Sequence, residues 1–403
     1  MCILSPTRTT WTLTVALGAA LNAGVVSAAD WPNFFGPKYD GISSETGFKK
    51  DWTTPIPVLW EREVGSAFSS FAVVGNRVYT CGMKDKQQVL YCLNADTGEV
   101  VWENAFEEEF RNEHGDGTRA TPTVHEGLVY VLGARGRLLC VDAASGKPAW
   151  EKKFNHAPTW AYSGSVLIEG DLAVASAGKD DGSLVAFNRK TGEPAWKAGD
   201  APAGYATPYP FTFNGKRYVT GFLGDSAMIV EAATGREVWR TNWKTDWDVN
   251  AAMPIFHDGY LFLASGYRTG AALHKLAVAG DKLESQVVWH SEVLLSKFQS
   301  SVLYKGKLYG CDQRAMKCVD FLTGKEEWTV GHVPNGTVLV ADGHLVVLTE
   351  KGQLQIGPVS SSGFEPTTRA DVLDGRCWSI PVLDDGRLYV RNLERVKCFK
   401  LRE

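Results

Sequence analysis

The sequence predicts an all-β fold, an eight-bladed β-propeller made of four-stranded antiparallel blades. Three observations predict it: a turn phrase that recurs with a tryptophan at a fixed distance, short strand-like runs that repeat around it, and a final unit that lacks its outer strand. Self-similarity at a period of roughly 40–50 residues is typical of propellers and related arrays, because a unit of that size cannot bury its own apolar face.

The recurring phrase consists of a polar residue, two variable residues, a threonine or serine and a glycine, and a tryptophan follows four residues after the glycine. The copies are Asn94–Gly98 with Trp102, Asp142–Gly146 with Trp150, Asn188–Gly192 with Trp196, Glu231–Gly235 with Trp239, and Asp320–Gly324 with Trp328. The first side chain can bond to the turn backbone and the glycine tolerates a positive φ, so the phrase predicts a tight hairpin turn. The run before each turn and the tryptophan after it therefore belong to adjacent antiparallel strands.

The complete unit has four short strands that are rich in β-branched or aromatic residues and separated by turns. In one copy these strands are residues 120–124, 128–132, 138–142 and 148–152. Trp60 and Trp289 fit the same outer strand as the tryptophans that follow the phrase. Opening strands begin near Ser69, Ala120, Ser163, Ala206, Ala252, Ser300, Gly336 and Ser379, which predicts eight blades.

The last unit supplies only three strands, at residues 379–383, 387–391 and 396–400. Residues 58–64 read as an outer strand with no preceding strands of their own. We predict that this N-terminal strand joins the C-terminal blade, because the pairing closes the ring and removes two exposed sheet edges.

The chain divides into a signal peptide (1–29), an N-terminal extended segment (30–57) and the propeller (58–403). Arg8 precedes an apolar stretch from Trp11 to Val26, and the small residues 27–29 then offer a cleavage site. No cysteine follows the apolar stretch directly, so we expect no lipid anchor and a periplasmic or secreted protein. The mature chain lacks a run near the roughly 20 apolar residues of a membrane span, so we expect no transmembrane segment.

The composition suits one soluble, well-packed all-β domain, with 22% charged and 11% aromatic residues. The formal charge of -4 argues against nucleic acid as a partner, since nucleic-acid binding would require a basic stripe. We expect a monomer.

Seven cysteines lie beyond Cys2, and most sit at equivalent strand positions where a small buried apolar side chain is expected. Two strand-neighbour pairs, Cys81 with Cys92 and Cys311 with Cys318, leave disulfides open as an alternative. The sequence has no Cys-x-x-Cys motif and no adjacent cysteine pair, so we predict no metal site.

A candidate ligand site lies where the inner strands open onto one rim of the central funnel. Counting from the turn glycines places Ala67, Ala251 and Phe68 there, together with the ligand-binding candidates Arg119, Trp160, Tyr162, Tyr205, Asn250, Phe298, Gln299, Asn335 and Trp378. Flat aromatic faces, amides and one guanidinium suit a planar or sugar-like anion. The alternative is that these aromatic side chains only fill the funnel and pack blade against blade.

No catalytic residue is predicted. Asp246 and Asp248 precede an inner strand and lie among tryptophans, but an acid–base role would depend on their geometry. The acidic run between Glu107 and Asp116 reads as a solvated loop rather than a cation site, because calcium sites need convergent oxygens.

The repeated phrase resembles that of exported eight-bladed propellers of the pyrroloquinoline-quinone (PQQ) type. Residues 31–41, which open with Trp-Pro-Asn-Phe-Phe-Gly-Pro, are similar to the start of such proteins in planctomycete-type bacteria, as are residues 117–122 and 265–270. The resemblance implies the quinoprotein alcohol dehydrogenase-like fold. It also implies that one tryptophan per blade packs between neighbouring blades, at Trp60, Trp102, Trp150, Trp196, Trp239, Trp289 and Trp328.

The resemblance allows three functions. The first is a non-catalytic scaffold that binds exported or outer-membrane proteins or peptides, similar to BamB, the propeller subunit of the outer-membrane β-barrel assembly machine. The second is a small-molecule or carbohydrate binder that uses the aromatic funnel. The third is a PQQ-dependent oxidoreductase with calcium, but such enzymes carry a vicinal disulfide, metal ligands and an aspartate base that find no match in this sequence. No cofactor is therefore predicted.

Overall fold

In a computed structural model that describes residues 1–2, 30–331 and 333–402, the predicted repeat units form eight separate sheets, the blades of a propeller. Each blade has four antiparallel strands, and one of them gains a fifth, parallel strand from the N-terminal segment. The predicted fold class is confirmed. The signal peptide assigned to residues 1–29 lies almost wholly outside the described residues. No helix in the described ranges is both long enough and apolar enough to cross a membrane.

Two strands precede the blades, and each of the first four blades contributes four strands. Their bounds are β1 (Ile42–Ser43), β2 (Val58–Glu63), β3 (Ala72–Val74), β4 (Arg77–Lys84), β5 (Gln87–Asn94), β6 (Val100–Glu108), β7 (Thr123–His125), β8 (Leu128–Leu132), β9 (Arg137–Asp142), β10 (Pro148–Lys153), β11 (Leu167–Glu169), β12 (Leu172–Ser176), β13 (Leu184–Asn188), β14 (Pro194–Ala198), β15 (Tyr209–Phe213), β16 (Lys216–Phe222), β17 (Ser226–Glu231) and β18 (Glu237–Asn242).

The remaining strands build blades 5 to 8. Their bounds are β19 (Ile255–His257), β20 (Tyr260–Ser265), β21 (Gly270–Ala279), β22 (Lys282–Ser291), β23 (Val302–Tyr304), β24 (Lys307–Cys311), β25 (Ala315–Asp320), β26 (Glu326–Gly331), β27 (Thr337–Ala341), β28 (His344–Leu348), β29 (Gln353–Pro358), β30 (Thr368–Asp371), β31 (Val382–Asp384), β32 (Arg387–Arg391) and β33 (Arg395–Lys400). Short 3₁₀ turns occur at Lys179–Asp181 and Asp246–Asp248.

The inner and middle strands are buried on both faces, whereas the outer strands bury one face. In β10, Trp150 is the one fully buried residue, and the residues on either side of it are exposed. Because side chains alternate along a strand, this pattern directs the tryptophan of each outer strand toward the neighbouring blade.

Ring closure follows the predicted pairing. β2 pairs antiparallel with β33, with Trp60 opposite Cys398, so that the N-terminal strand is the outer strand of blade 8. Arg391 of β32 is fully buried and donates across the closure to the carbonyl oxygens of Ser69 (2.9 Å) and Cys81 (2.8 Å) in blade 1. The two ends of the chain are therefore held together by strand pairing and by a buried guanidinium.

A belt of hydroxyl groups joins neighbouring blades near the axis. In each case a backbone N–H of one blade donates to a serine or threonine hydroxyl at the equivalent position of the next. The pairs are Ser70 to Thr121 (3.0 Å), Thr121 to Ser165 (2.9 Å), Ser165 to Thr207 (2.9 Å) and Met253 to Ser300 (3.0 Å). The small hydroxyl residues at the start of the predicted inner strands thus bond blade to blade.

The segment that follows residue 30 lies inside the ring. Trp31 forms a bridge with Val73 of blade 1, and the carbonyl oxygen of Pro32 accepts the N–H of Val124 in blade 2. β1 runs parallel to β27 of blade 7, with Ile42 opposite Val340, and the Ser43 hydroxyl donates to Leu383 of blade 8. On the far side of the ring, Tyr39 lies beside Ile168 of blade 3 and Gly41 packs against Val302 of blade 6. Because the segment contacts the opposite blades 2 and 6, it must cross the axis, so residues 31–45 close one end of the central channel.

The seven cysteines from Cys81 to Cys398 are buried free thiols. The pairs Cys81/Cys92 and Cys311/Cys318 do not form disulfides. They serve instead as small apolar side chains in the sheets.

Candidate functional site

A cavity of about 220 Å³ lies at the centre of the ring, between the crossing segment and the rim where the inner strands open. Phe34 and Phe35 of the crossing segment line it from the channel side. The loops that lead into the inner strands line the remaining walls. The cavity is therefore open at the rim and closed by the N-terminal segment.

Six of the nine predicted ligand-binding residues line this cavity, as do the neighbouring Phe68 and Ala251. The six are Arg119, Trp160, Tyr205, Phe298, Gln299 and Trp378. These residues occupy equivalent positions in different blades. The ring therefore brings together residues as far apart in the chain as Arg119 and Trp378, which are separated by 259 positions.

The other three predicted residues support the walls from behind. The Tyr162 hydroxyl donates to the Ala177 carbonyl oxygen at 2.8 Å, and the ring is fully buried. Asn250 is also fully buried, and its amide donates to the carbonyl oxygens of Leu223 and Trp243. The Asn335 carbonyl oxygen accepts a hydrogen bond from Gln299 Nε2 at 2.9 Å.

Several lining residues were not predicted, including Phe34, Asn112, His114, Tyr267 and Lys297. Most come from loops between blades or from the N-terminal segment. The repeat has no equivalent positions for such residues, so counting from the turn glycines does not find them.

Arg119 is held by backbone carbonyl groups rather than by a carboxylate. Its Nε donates to Trp160 at 3.2 Å, its Nη2 donates to Gly115 at 2.7 Å, and its Nη1 donates to Gly117. The guanidinium also lies over the rings of Phe110 and Phe68, at 4.6 and 5.4 Å from their centroids. Burial lowers the pKa of Arg119 to about 10, which leaves the group charged at neutral pH.

The tight loop before Arg119 depends on glycine. Gly117 has a φ of +81°, and a Cβ atom there would stand 2.2 Å from the carbonyl oxygen of Ser66. Only glycine satisfies both the positive φ and the close backbone contact. The loop therefore presents its carbonyl oxygens to the guanidinium.

Trp378 is the centre of the aromatic wall. Its ring stacks on Phe68 (centroids 5.3 Å apart) and contacts Phe298 (4.5 Å), and the Arg376 guanidinium lies 4.5 Å from its centroid. The indole N–H donates to Glu350 at 2.7 Å, which fixes the ring orientation. The ring therefore presents a rigid flat surface to the cavity.

A line of rings leads from the solvent into the cavity. Trp247 is 66% exposed, and its ring meets Trp160 edge-on at 6.5 Å. Trp160 lies 5.2 Å from His114, which lies 6.4 Å from Trp378. Trp247 has a φ of +63°, an unfavourable value for a tryptophan, so the loop holds this large apolar side chain outward at a cost in backbone energy.

Asp246 and Asp248 flank Trp247 without forming a carboxylate pair that faces the cavity. Asp248 is ion-paired with Lys244, and neither aspartate lines the cavity. The local geometry therefore gives no support to an acid–base role for these two residues.

Gln299 carries an unused hydrogen-bond acceptor. The residue is 4% exposed, and its Nε2 is bonded to Asn335, whereas its Oε1 has no partner among the described residues. Leaving a buried polar atom unpaired costs about 1–3 kcal/mol. Because this oxygen has almost no exposed surface, the Gln299 side chain must rotate before a donor in the cavity can reach it.

The charges that face the cavity are positive. Arg119 and Lys297 line it, and no aspartate or glutamate of the described ranges does so. Lys297 lies over the rings of Tyr267 (5.6 Å) and Phe298 (5.8 Å). Burial raises the pKa of Tyr205 to about 12, so this hydroxyl stays neutral. The cavity thus combines flat rings with cations.

Curated relatives fall into two groups. The chain is 30% identical over 180 residues to a 1-butanol dehydrogenase (quinone) of Thauera butanivorans, covering 40% of this chain and 29% of that protein. It is 26% identical over 190 residues to the outer membrane protein assembly factor BamB of Burkholderia pseudomallei, covering 46% and 44% of the two chains. The chain therefore spans less than half the length of either relative.

Solved structures show the same fold at low identity. BamB from Moraxella catarrhalis superimposes with a TM-score of 0.59 at 14% identity, covering 86% of this chain and 98% of that one. The quinohemoprotein alcohol dehydrogenase ADHIIG from Pseudomonas putida HK5 superimposes with a TM-score of 0.68 at 13% identity, covering 92% and 80%.

One family model matches residues 49–209 and 224–356, more than half of the chain, and it spans most of the propeller. The match includes all five copies of the phrase and the blades that carry most of the cavity wall. The chain therefore belongs to the family described as outer membrane protein assembly factor BamB.

Proposed function

We propose that this protein is a non-catalytic exported scaffold that binds a segment of a partner protein at the mouth of its funnel. The observation that carries the proposal is the exposed Trp247, held outward at a positive φ beside a cavity of aromatic rings. Exposed aromatic side chains next to a preformed apolar cavity are typical of binding hot spots. The match to a family of assembly factors supports a protein partner.

The chemistry of the lining supports binding better than catalysis. A general base near neutral pH is most often a histidine or a carboxylate in hydrogen-bond reach of the substrate. Among the described residues no carboxylate lines the cavity, and the His114 ring is packed between Trp160 and Trp378.

Site-specific photo-crosslinking tests the scaffold function. A photoreactive phenylalanine analogue at position 247 is expected to form adducts with one exported protein in the producing cells. The same analogue at position 278 is the control, because Val278 is 47% exposed in blade 5 but lies outside the cavity. The partner is then purified and its Kd is measured with wild-type protein and with Trp247→Ala. Equal adducts at both positions, or an unchanged Kd, would contradict the proposal.

Export is part of the same proposal and rests on the apolar stretch of residues 11–26, followed by small residues. Fractionation of producing cells, with N-terminal sequencing of the purified protein, measures it directly. We expect periplasmic or secreted protein that begins near Asp30. Cytoplasmic protein that still begins at Met1 would contradict export and leave binding to be judged by crosslinking.

A second candidate is a small-molecule or carbohydrate binder, favoured by the flat rings of Trp160 and Trp378 in a cavity of about 220 Å³. The tryptophans that line the cavity would report occupancy. Titration with glucuronate and with neutral glucose is expected to quench tryptophan fluorescence if rings stack on the sugar. Quenching that disappears in Trp378→Ala would favour this candidate over the protein scaffold.

The third candidate, PQQ with calcium, fits this site only in part. Flat rings and the Arg119 guanidinium suit a planar organic anion. Calcium takes 6–8 oxygen ligands that usually include carboxylates, and the lining offers hydroxyl and amide oxygens alone. Within the described part of the chain, no group of histidine, cysteine, aspartate and glutamate residues could hold a metal ion. Calorimetric titration with PQQ is therefore expected to show no dependence on calcium.

A further inference from the structure

We infer that the cavity receives the C-terminal carboxylate of the partner polypeptide. The inference rests on the proposed scaffold function and specifies which part of the partner enters the funnel. Three features carry it: the closed end of the cavity, the sign of its charges, and the unused N–H donors of Arg119.

The closed end selects a chain terminus. Residues 31–45 cross the axis, from Pro32 at an inner strand of blade 2 to Gly41 at the inner strand of the opposite blade 6, and Phe34 and Phe35 line the cavity. A polypeptide that enters from the rim cannot pass through to the other side. The part of the partner that penetrates furthest is therefore an end of its chain, not an internal segment.

The charge of the cavity selects which terminus enters. Arg119 comes from the loop before blade 2 and Lys297 from the loop before blade 6, so positive charge faces the cavity from opposite sides of an eight-bladed ring. A terminal ammonium group would be repelled by both cations, whereas a terminal carboxylate would be attracted to both. No aspartate or glutamate of the described ranges lines the cavity itself, and the one carboxylate that raises the pKa of Arg119, that of Asp116, lies outside the lining.

The unused hydrogen-bonding groups match the end of a peptide. Arg119 has five N–H donors, and its backbone partners take three, so two remain for a carboxylate. Capture of a C-terminal carboxylate by fixed donors is a known mode of peptide recognition.

The apolar part of the lining suits the side chain of the last residue. Val249, Val338 and Ile380 line the cavity together with the phenylalanine rings of the crossing segment. From the exposed Trp247 to Trp378 in the cavity wall, neighbouring rings of the line are 5.2–6.5 Å apart. Alternate side chains of an extended strand are about 6.7 Å apart, so the preceding residues can contact successive rings.

Paired peptide pools test the inference. One pool of N-acetylated pentapeptides, randomised at the last two positions, carries free C-terminal carboxylates, and a second pool carries C-terminal amides. Equilibrium dialysis against the full-length protein at pH 7, read by mass spectrometry, is expected to retain acids with an apolar last residue at least tenfold more than the matching amides. Equal retention of acids and amides, or retention of neither, would overturn the inference.

Substitutions of the cavity cations, compared with a control outside the cavity, show where the carboxylate binds. Lys297→Gln removes a half-exposed cation without removing a hydrogen bond of the fold and should weaken retention of the acid pool severalfold. Lys275→Gln is the matched control, because Lys275 lies over the Tyr260 ring at 5.9 Å, outside the cavity. Equal effects of the two substitutions would place the carboxylate elsewhere. Arg119→Gln is expected to abolish the preference for acids, with folding checked by circular dichroism.

N-acetylleucine distinguishes a free carboxylic acid from a chain end. If the protein retains N-acetylleucine as well as it retains the best pentapeptide acid, the cavity is a small-acid site and the polypeptide inference fails. The crosslinking experiment at position 247 is independent of this result. Crosslinks without a preference for acids would leave the scaffold function standing and reject only the role of the C-terminus.

Discussion

Gly98 lies directly against the indole ring of Trp60, across the seam where the first blade meets the last. A Cβ atom on Gly98 would stand 2.5 Å from Trp60 Cδ2, and the indole N–H donates to the carbonyl oxygen of Ala95 in the same turn at 2.9 Å. The glycine of the repeated phrase therefore has two roles. It adopts the positive φ of the turn and leaves room for the tryptophan of the preceding blade.

The same contact recurs around the ring, with an indole N–H that donates to a turn carbonyl of the next blade. The pairs are Trp102 with Ala143, Trp150 with Arg189, Trp196 with Ala232, Trp289 with Phe321, and Trp328 with Ser360. Trp239 differs because blade 5 has a lengthened outer hairpin without the phrase. Its ring instead meets the buried His274 edge-on at 5.6 Å.

Substitution of Gly98 should therefore destabilise the ring at its seam. We expect Gly98→Ala to lower the free energy of unfolding by about 2–4 kcal/mol, because strain at positive φ adds to overpacking against Trp60. Gly75→Ala is the control, since Gly75 also has a positive φ but a Cβ atom there would have no neighbour within 4 Å. Urea unfolding measures both variants, and equal losses would show that the indole contact contributes nothing.

Arg391 should be essential to closure. Arg391→Met leaves several buried carbonyl oxygens of blades 1 and 8 without a donor, including those of Ser69 and Cys81. We expect a loss of about 3–5 kcal/mol in the free energy of unfolding. Arg395→Met is the comparison, because Arg395 forms only exposed ion pairs with Glu61 and Asp374, and this variant should lose far less stability than Arg391→Met. Similar losses in both variants would contradict this role.

His274 should make the protein less stable in acid. Burial lowers its pKa to about 4, and neither ring nitrogen has a partner among the described residues. Because the unfolded chain binds this proton first, stability falls as the pH drops from about 6.5 to about 4. His274→Phe should flatten the dependence of the melting temperature on pH in that window. An identical pH profile for the variant would show that His274 does not cause the loss.

Asp384, in contrast to His274, should make the protein less stable as the pH rises. Burial, and then the neighbouring Glu45, raise the pKa of this carboxyl to about 7. The unfolded chain releases the proton first, so stability falls as the pH rises from about 4 to about 7 and then levels off. Asp384→Asn is expected to raise the melting temperature at pH 8 and to change it little at pH 4. Asp385→Asn is the comparison: this exposed neighbour contributes less to the raised pKa of Asp384 than burial and Glu45 do, so the variant should show a smaller pH-dependent gain.

Much of the fold could be predicted because its signals are local. The turn phrase depends on side-chain bonds within a few residues, as where Asn94 Oδ1 accepts the backbone N–H groups of Asp96 and Thr97. The alternation of buried and exposed residues depends on strand geometry alone. The incomplete last unit then required an outer strand, and β2 was the available candidate.

The candidate site was predictable only where it follows the repeat. Arg119, Tyr205 and Trp378 occupy equivalent positions in different blades, so the repeat itself places them on one rim. Lys297 and His114 come from loops between blades. These loops vary in length, so counting along the repeat does not locate their residues. Tyr162 shares the repeat position but turns into the core, because its hydroxyl finds the Ala177 carbonyl oxygen there.

By itself, the sequence determined the ring: its class, its number of blades and the strand that closes it, because each repeat encodes its own turns and its own buried face. Only the tertiary structure decided what fills the centre. The path of residues 31–45 depends on single contacts with distant blades, such as Ser43 with Leu383 and Ile42 with Val340. Such contacts leave no periodic pattern in the chain, yet they turn an open channel into a closed cavity.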